Sequence, residues 1–260
     1  MQMSDNSSNK LCKLLGIERP VILAPMAKLS GGALAAAVSN AGGLGIIGGG
    51  YGDRGWIAEQ VDIADGARVA IGLITWNMVD GALEAALAHN PCALWLSFGD
   101  PGTHIPAIQE SGALAICQVG TVAEAVVAAG AGADVIVAQG AESGGHGRSG
   151  RSLFGLLPAI SAAIPDIALV AAGAINDAAG LAAAKALGAA GVALGSAFYA
   201  TTEALDVDAA KQRLVNSRGD DTIRSRVYDH VRGPLWPEEY SGRTIGTALT
   251  HEWAGRENEL

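Results

Sequence analysis

The strongest constraint on this chain is a repeating rhythm. Between residues 21 and 205 a short apolar run gives way to a glycine- or proline-marked turn, then to an alanine-rich stretch, and the cycle repeats. The apolar runs lie at 21–26, 43–48, 68–74, 93–98, 114–119, 134–139, 168–172 and 191–194. They show little polar–apolar alternation, which predicts strands buried on both faces. Strand alternating with helix predicts a parallel sheet. Eight such units predict closure into an α/β fold of the (β/α)8 TIM-barrel type. The alternative is a doubly wound open sheet. Against it, no Gly-x-Gly-x-x-Gly follows the first strand, and the glycines of 45–50 follow the second and open no phosphate-binding helix.

The barrel is expected over residues 11–205, after a loose polar tail at 1–10 and before a short C-terminal capping segment at 206–260. In that last segment Arg213, Arg218, Arg224, Arg226 and Arg232 are interleaved with Asp220, Asp221 and Asp229. This mixture reads as a solvated face. Trp236, in the turn Gly233-Pro234-Leu235-Trp236-Pro237, is expected to pack against the barrel mouth.

Half of the 260 residues are hydrophobic but only 5% are aromatic, and 36 are glycine. Packing must therefore rely on small residues and close approach of helix to strand. A formal charge of −9 with no basic face excludes a nucleic-acid binder and disfavours an anionic membrane surface. The apolar stretch 181–198 is interrupted by Lys185, so no membrane span is expected. Cys12, Cys92 and Cys117 have no metal-type spacing. With no signal peptide evident, an odd cysteine count points to a reducing, cytoplasmic setting.

In a barrel the functional groups come from the C-terminal strand ends, and a phosphate commonly sits after strands seven and eight. Those two places hold Gly173-Ala174 and Gly195-Ser196. Small residues there let backbone N–H groups reach phosphate oxygens, and Ser196 adds a hydroxyl. The other strand ends offer Ala24-Pro25-Met26, Thr75, Gln118 and Gln139. A glutamine at a buried strand end is costly unless paired, which favours a ligand partner.

Behind Gln139 lies the most distinctive stretch, Gln139-Gly140-Ala141-Glu142-Ser143-Gly144-Gly145-His146. Its glycines permit close backbone approach, and it carries one acid and one histidine. It resembles the Gln-Gly-x-Glu-Ala-Gly-Gly-His signature of flavin-dependent nitronate monooxygenases, formerly called 2-nitropropane dioxygenases, with Ser143 in place of the alanine. The resemblance extends to Ala24-Pro25-Met26, to 172–175 against Ala-Gly-Gly-Ile, to 195–198 against Gly-Thr-x-Phe, and to the Arg-Gly-x-x-Trp-Pro pattern at 232–237. It covers residues 11–205 well and the remainder more loosely, and family members are commonly longer.

The resemblance implies FMN, with its phosphate at Gly173 and Gly195. The implied flavin-binding residues are Ala24, Pro25, Met26, Thr75, Gln118, Gln139, Ser143, Gly144, Gly145, Gly173, Ala174, Gly195 and Ser196. Ala174 replaces a glycine, a change suited to a backbone donor at φ < 0. The implied catalytic residue is His146, as a base toward the proton α to a nitro group or as an imidazolium holding a nitronate. Glu142 is given a structural role. No metal is needed, because the flavin carries the electron chemistry. The implied reaction is oxidation of an alkyl nitronate, or a nitroalkane, by O2 to a carbonyl compound and nitrite. The alternatives are an FMN-dependent NAD(P)H:quinone or enoyl-thioester reductase, a flavin-binding sensor without turnover, and a phosphate-sugar lyase or isomerase. Oligomeric state is left open.

Overall fold

The helices and strands fall where short apolar runs and caps place them. A computed structural model of the protein describes residues 3–233 and 235–260. Its strands are β1 (Val21–Leu23), β2 (Gly45–Gly48), β3 (Val69–Ile74), β4 (Ala93–Ser97), β5 (Leu114–Val119), β6 (Val135–Gln139), β7 (Gly145–Gly147), β8 (Ala168–Ala172), β9 (Gly191–Leu194), β10 (Thr222–Ser225) and β11 (Ser241–Ile245). Eight of them form one parallel sheet in the order β1-β9-β8-β6-β5-β4-β3-β2. A parallel bridge between Ile22 and Leu44 joins its two ends, where Leu23 N donates to Leu44 O at 2.9 Å and Leu44 N to Val21 O at 3.0 Å. The sheet is a closed (β/α)8 barrel, and the open doubly wound alternative is excluded.

The helices are α1 (Met3–Leu15), α2 (Gly32–Asn40), α3 (Arg54–Ile63), α4 (Ala82–Leu87), α5 (Ile105–Glu110), α6 (Val122–Gly130), α7 (Leu153–Ala163), α8 (Ala178–Ala186), α9 (Ser196–Tyr199), α10 (Asp208–Val215), α11 (Val227–Arg232) and α12 (Ala248–Trp253). Several starts are set by side chains that accept the first free N–H groups. Asp53 accepts from Trp56 N, Asp177 accepts from Gly180 N, and Thr121 with Glu124 closes a capping box on α6. Among the described residues no helix is long and apolar enough to cross a membrane.

Alternate strand residues divide into two cores, as barrel geometry requires. Ile22, Ile46, Trp95, Ile116, Val135, Val137 and Val170 fill the interior. Leu23, Ile47, Ile71, Leu94, Leu96 and Ile136 face the helices. Leu11 and Leu15, one turn apart on α1, are buried with the interior group. That contact gives α1 a reason to form, and the helix begins at Met3, so most of the expected loose tail is helical instead. Residues 1 and 2 lie outside the described residues. The shortage of large side chains is met by close approach: a Cβ on Gly45 would lie 1.8 Å from Ala35 O, and one on Gly32 would lie 1.9 Å from Gln60 O.

The C-terminal segment departs from the expected solvated face. β10 and β11 pair antiparallel, and the free edge of β11 takes β7, which is the signature loop itself. Gly242 lies opposite His146 in that register. Helix α10 is exposed as its charge pattern implies, but Arg224 and Asp229 turn inward. Arg224 donates to Ala141 O at 3.1 Å, Ser143 O at 2.9 Å, Gly147 O at 3.2 Å and Ser241 O at 2.6 Å. A guanidinium saturating backbone carbonyls is a structural clamp, which a charge count along the chain cannot distinguish from a surface arginine.

Candidate active site

A run of side-chain hydrogen bonds crosses the C-terminal ends of β4, β5 and β6. Trp95 Nε1 donates to Ser97 Oγ at 2.7 Å, and Ser97 Oγ donates to Gln118 Oε1 at 3.4 Å. Gln118 Nε2 donates to Gln139 Oε1 at 3.0 Å, and Gln139 Nε2 donates to the backbone carbonyl of His146 at 2.9 Å. The two glutamines thus satisfy each other and anchor the signature loop. Both are half-buried, and because they already pair, their position does not by itself demand the ligand that the sequence favoured. Thr75 Oγ1 donates to Ser97 O at 3.1 Å, so this hydroxyl also serves the neighbouring strand.

Four strand-end loops converge on the other side of the mouth. A Cβ on Gly173 would lie 3.3 Å from Ser143 N, and one on Gly144 would lie 2.8 Å from Ser196 Oγ. One on Gly195 would lie 3.7 Å from both Ala24 Cβ and Met26 Sδ. Residues after β1, β6, β8 and β9 therefore meet in one cradle to which Gly144, Gly173 and Gly195 contribute no side chain. Pro25 is held close to β3, since a Cβ on Gly72 would lie 2.3 Å from its own Cβ. The Ser143 hydroxyl is buried in this cradle without a hydrogen-bond partner among the described residues. Gly145, at the edge of the loop, has φ +68° and open space around it. Ala174 has φ +49°, not the negative φ expected from sequence, so a methyl sits where the backbone favours glycine.

His146 is the point where barrel and cap meet. Its Nε2 lies 2.8 Å from Asp229 Oδ1, and its ring stacks on Trp236 with centroids 3.8 Å apart and planes 8° apart. Asp229 is 7% exposed, and its second oxygen is buried without a partner among the described residues. Trp236 is the hub of an aromatic group: Phe98 at 4.9 Å, Trp76 at 5.5 Å, Tyr240 at 6.0 Å and Tyr51 at 6.3 Å. Burial, then the nearby Asp229 carboxylate, pushes the Tyr51 hydroxyl above its ordinary pKa. Trp236 thus packs at the barrel mouth as its sequence context implied.

Glu142 does not touch His146. Its Oε1 accepts from Leu153 N at 2.9 Å, at the start of α7, which is a structural role. A cavity of about 400 Å³ opens beside the glutamine pair, between Phe98, Gln118, Gln139 and Tyr240. It does not reach Gly173 or Gly195. Arg148 borders it and is engaged by Glu124 at 2.5 Å while lying over the Tyr240 ring. Among the described residues no cluster of His, Cys, Asp and Glu is arranged to hold a metal.

The structure brings together His146, the glutamine pair and the glycine cradle, as the strand-end positions predicted. Asp229, Arg224, Tyr51 and Trp76 were not anticipated. Asp229 lies 83 residues from His146 in sequence and bonds it only through the tertiary fold.

A strand-end histidine backed by a buried carboxylate, on a barrel with a glycine-lined cradle, defines a class of α/β-barrel enzyme. The sequence profile of the nitronate monooxygenase family matches residues 8–71 and 57–233. A nitronate monooxygenase of Metarhizium robertsii, npaC, is 37% identical over 268 residues, covering 91% of this chain and 74% of that protein. Among solved structures, FabK from Thermotoga maritima aligns with a TM-score of 0.85 at 29% identity, covering 96% of this chain and 78% of that one. A nitroalkane oxidase from Streptomyces ansochromogenes aligns with a TM-score of 0.79 at 26% identity, covering 94% and 81%. The chain belongs to the nitronate monooxygenase family.

Proposed function

We propose that the protein is an FMN-dependent oxidoreductase that oxidises alkyl nitronates, and nitroalkanes after deprotonation, with O2 to a carbonyl compound and nitrite. The observation that carries this is His146, held by Asp229 and Trp236 beside a cradle formed by the strand-end loops of a family barrel.

The residues present fit FMN. The cradle between Gly144, Gly173, Gly195 and Ser196 has three glycines that leave their backbone N–H groups uncovered by a side chain of their own, and the unpartnered Ser143 hydroxyl supplies a buried donor. These are the groups that hold a phosphate where no basic cluster exists. Ala24, Pro25, Met26, Thr75, Gln118, Gln139, Gly145 and Ala174 would complete the flavin surroundings. FMN, when bound, supplies the two-electron oxidation and the reaction with O2.

The chain's own residues handle the substrate. His146 takes the proton from the carbon α to the nitro group, leaving the electron pair on the nitronate. Trp236 holds the imidazole plane, and with Phe98, Trp76 and Tyr240 it keeps water from that face. Gln139 fixes the loop backbone from below.

An FMN-dependent NAD(P)H:quinone or enoyl-thioester reductase is the second reading, favoured by the likeness to FabK, whose TM-score of 0.85 exceeds the 0.79 of the nitroalkane oxidase. Two assays separate them. Oxygen consumption and nitrite release with a nitronate support the first; NAD(P)H oxidation coupled to a quinone or enoyl thioester, without nitrite release, replaces it. A purified protein that is colourless and does not bind added FMN would refute both.

A further inference from the structure

From the His146–Asp229 geometry we infer that Asp229 is a positioning residue that keeps the proton of His146 on Nε2, leaving Nδ1 as the atom that takes the substrate proton. The inference rests on the reading of His146 as the base, and it assigns a role to a residue of the C-terminal segment.

An ionised carboxylate only accepts hydrogen bonds. Asp229 Oδ1 sits 2.8 Å from Nε2, so that nitrogen must present its hydrogen. A neutral imidazole has one N–H, and the other nitrogen then carries the lone pair. Among the described residues Nδ1 has no hydrogen-bond partner, and the His146 side chain remains 29% exposed. An unpartnered nitrogen on a partly exposed ring, with a buried acceptor at the other nitrogen, is the arrangement a base needs. The Trp236 stack stops the ring from turning over and exchanging the two nitrogens. Helix α11, through Asp229, and the segment joining it to β11, through Trp236, thereby carry the two restraints, while the barrel supplies only the loop on which the histidine rides.

The test uses full-length, FMN-loaded protein labelled with ¹⁵N-histidine. The chain has five histidines, and His146→Asn identifies the signal. The expected wild-type signal has hydrogen on Nε2 and a bare Nδ1. In Asp229→Asn, whose amide can also donate, the Nδ1–H form should appear. Turnover of a neutral nitroalkane should then fall about 10²–10⁴-fold, and that of the preformed nitronate by less than tenfold. Asp229→Glu should restore the Nε2–H form and part of the turnover.

A wild-type signal with hydrogen on Nδ1, or on both nitrogens at neutral pH, overturns the inference. So does loss of turnover in Asp229→Asn with the proton position unchanged. The wild-type spectrum decides the matter even if the variant does not fold. If neither nitro compound is turned over by wild type, the proposed function fails, while the proton position still reports on Asp229.

Discussion

The side-chain amide of Gln139, the last residue of β6, donates to the backbone carbonyl of His146 at 2.9 Å. The signature loop is therefore tied to the barrel from below by Gln139, and to the C-terminal segment from above by β11 and Asp229. Gln139 Oε1 is committed in turn to Gln118. Removing this amide strips partners from both neighbours. Gln139→Leu should lower unfolding free energy by about 1–3 kcal/mol, the usual cost of leaving partly buried polar groups unpaired. Denaturant titration checks it. A change within about 0.3 kcal/mol would mean that water replaces the amide at no cost.

Arg224 performs the same service from the other side, spanning the carbonyls of Ala141, Ser143, Gly147 and Ser241. Burial, then the neighbouring Arg243, lowers its pKa, so it is held by its acceptors, not by a counter-ion. Arg224→Met keeps the aliphatic stem and removes the donors. The expected loss is about 1.5–3 kcal/mol, as for a charged donor taken from its acceptors. Hydrogen exchange in β10 and β11 should accelerate together with that in β7. Exchange confined to β10 would show that the loop does not depend on the clamp.

The barrel was legible because its signal is local and repeated: apolar runs, glycine turns and caps each act within a few residues. The cradle was legible because barrel geometry assigns roles to strand ends wherever they fall. The rest required contacts across long sequence separations. Asp229 and Arg224 stand among other charges in a stretch that reads as solvated, and only the pairing of β11 with β7 turns them inward. The glutamine pair was read as facing a ligand, but the bond between the two side chains, across adjacent strands, could not be read from sequence. The first turns of α1 were missed because their polar residues read as a loose tail, while Leu11 and Leu15, which anchor the helix, lie beyond them.

Ala174 is the one cradle residue whose backbone conflicts with its side chain. At φ +49° a Cβ crowds the following carbonyl, a strain of roughly 1–2 kcal/mol for an L-residue. Ala174→Gly removes it but loosens the unfolded chain, which offsets about 0.4–1 kcal/mol. The net expectation is a gain of about 0.5–1 kcal/mol with FMN affinity retained. Thermal melts of the flavin-free protein read the first part and flavin titration the second. Destabilisation would mean that the methyl makes packing contacts worth more than the strain.

Gly144 faces Ser196 across the cradle, and a Cβ there would stand 2.8 Å from the hydroxyl. Gly144→Val should therefore displace the Ser196 hydroxyl, fill the space between the loops after β6 and β9, and yield folded protein with little bound flavin. Absorbance in the visible range and circular dichroism together read the outcome. Full flavin occupancy in a folded variant would move the phosphate away from these loops.

His146 carries the sharpest test, because its two proposed partners make different demands. If it is the base, removing it should damage turnover of a neutral nitroalkane about 10²–10⁴-fold. A preformed nitronate needs no deprotonation, so its loss should be smaller and limited to lost hydrogen bonding. His146→Ala alone confounds this, since it leaves Asp229 buried without its partner and opens space against Trp236. His146→Gln, whose amide nitrogen reaches the position of Nε2, retains a donor toward Asp229 while lacking a basic nitrogen, and it separates the two effects. Both variants should keep the flavin spectrum, because the proposed phosphate contacts lie on other loops. A selective loss on nitroalkane shared by Ala and Gln assigns the role to proton transfer. A loss in Ala that Gln repairs assigns it to holding Asp229 and Trp236 in place. Equal loss on both substrates in both variants assigns it to binding the nitronate, and unchanged turnover in both reduces His146 to a structural residue of β7.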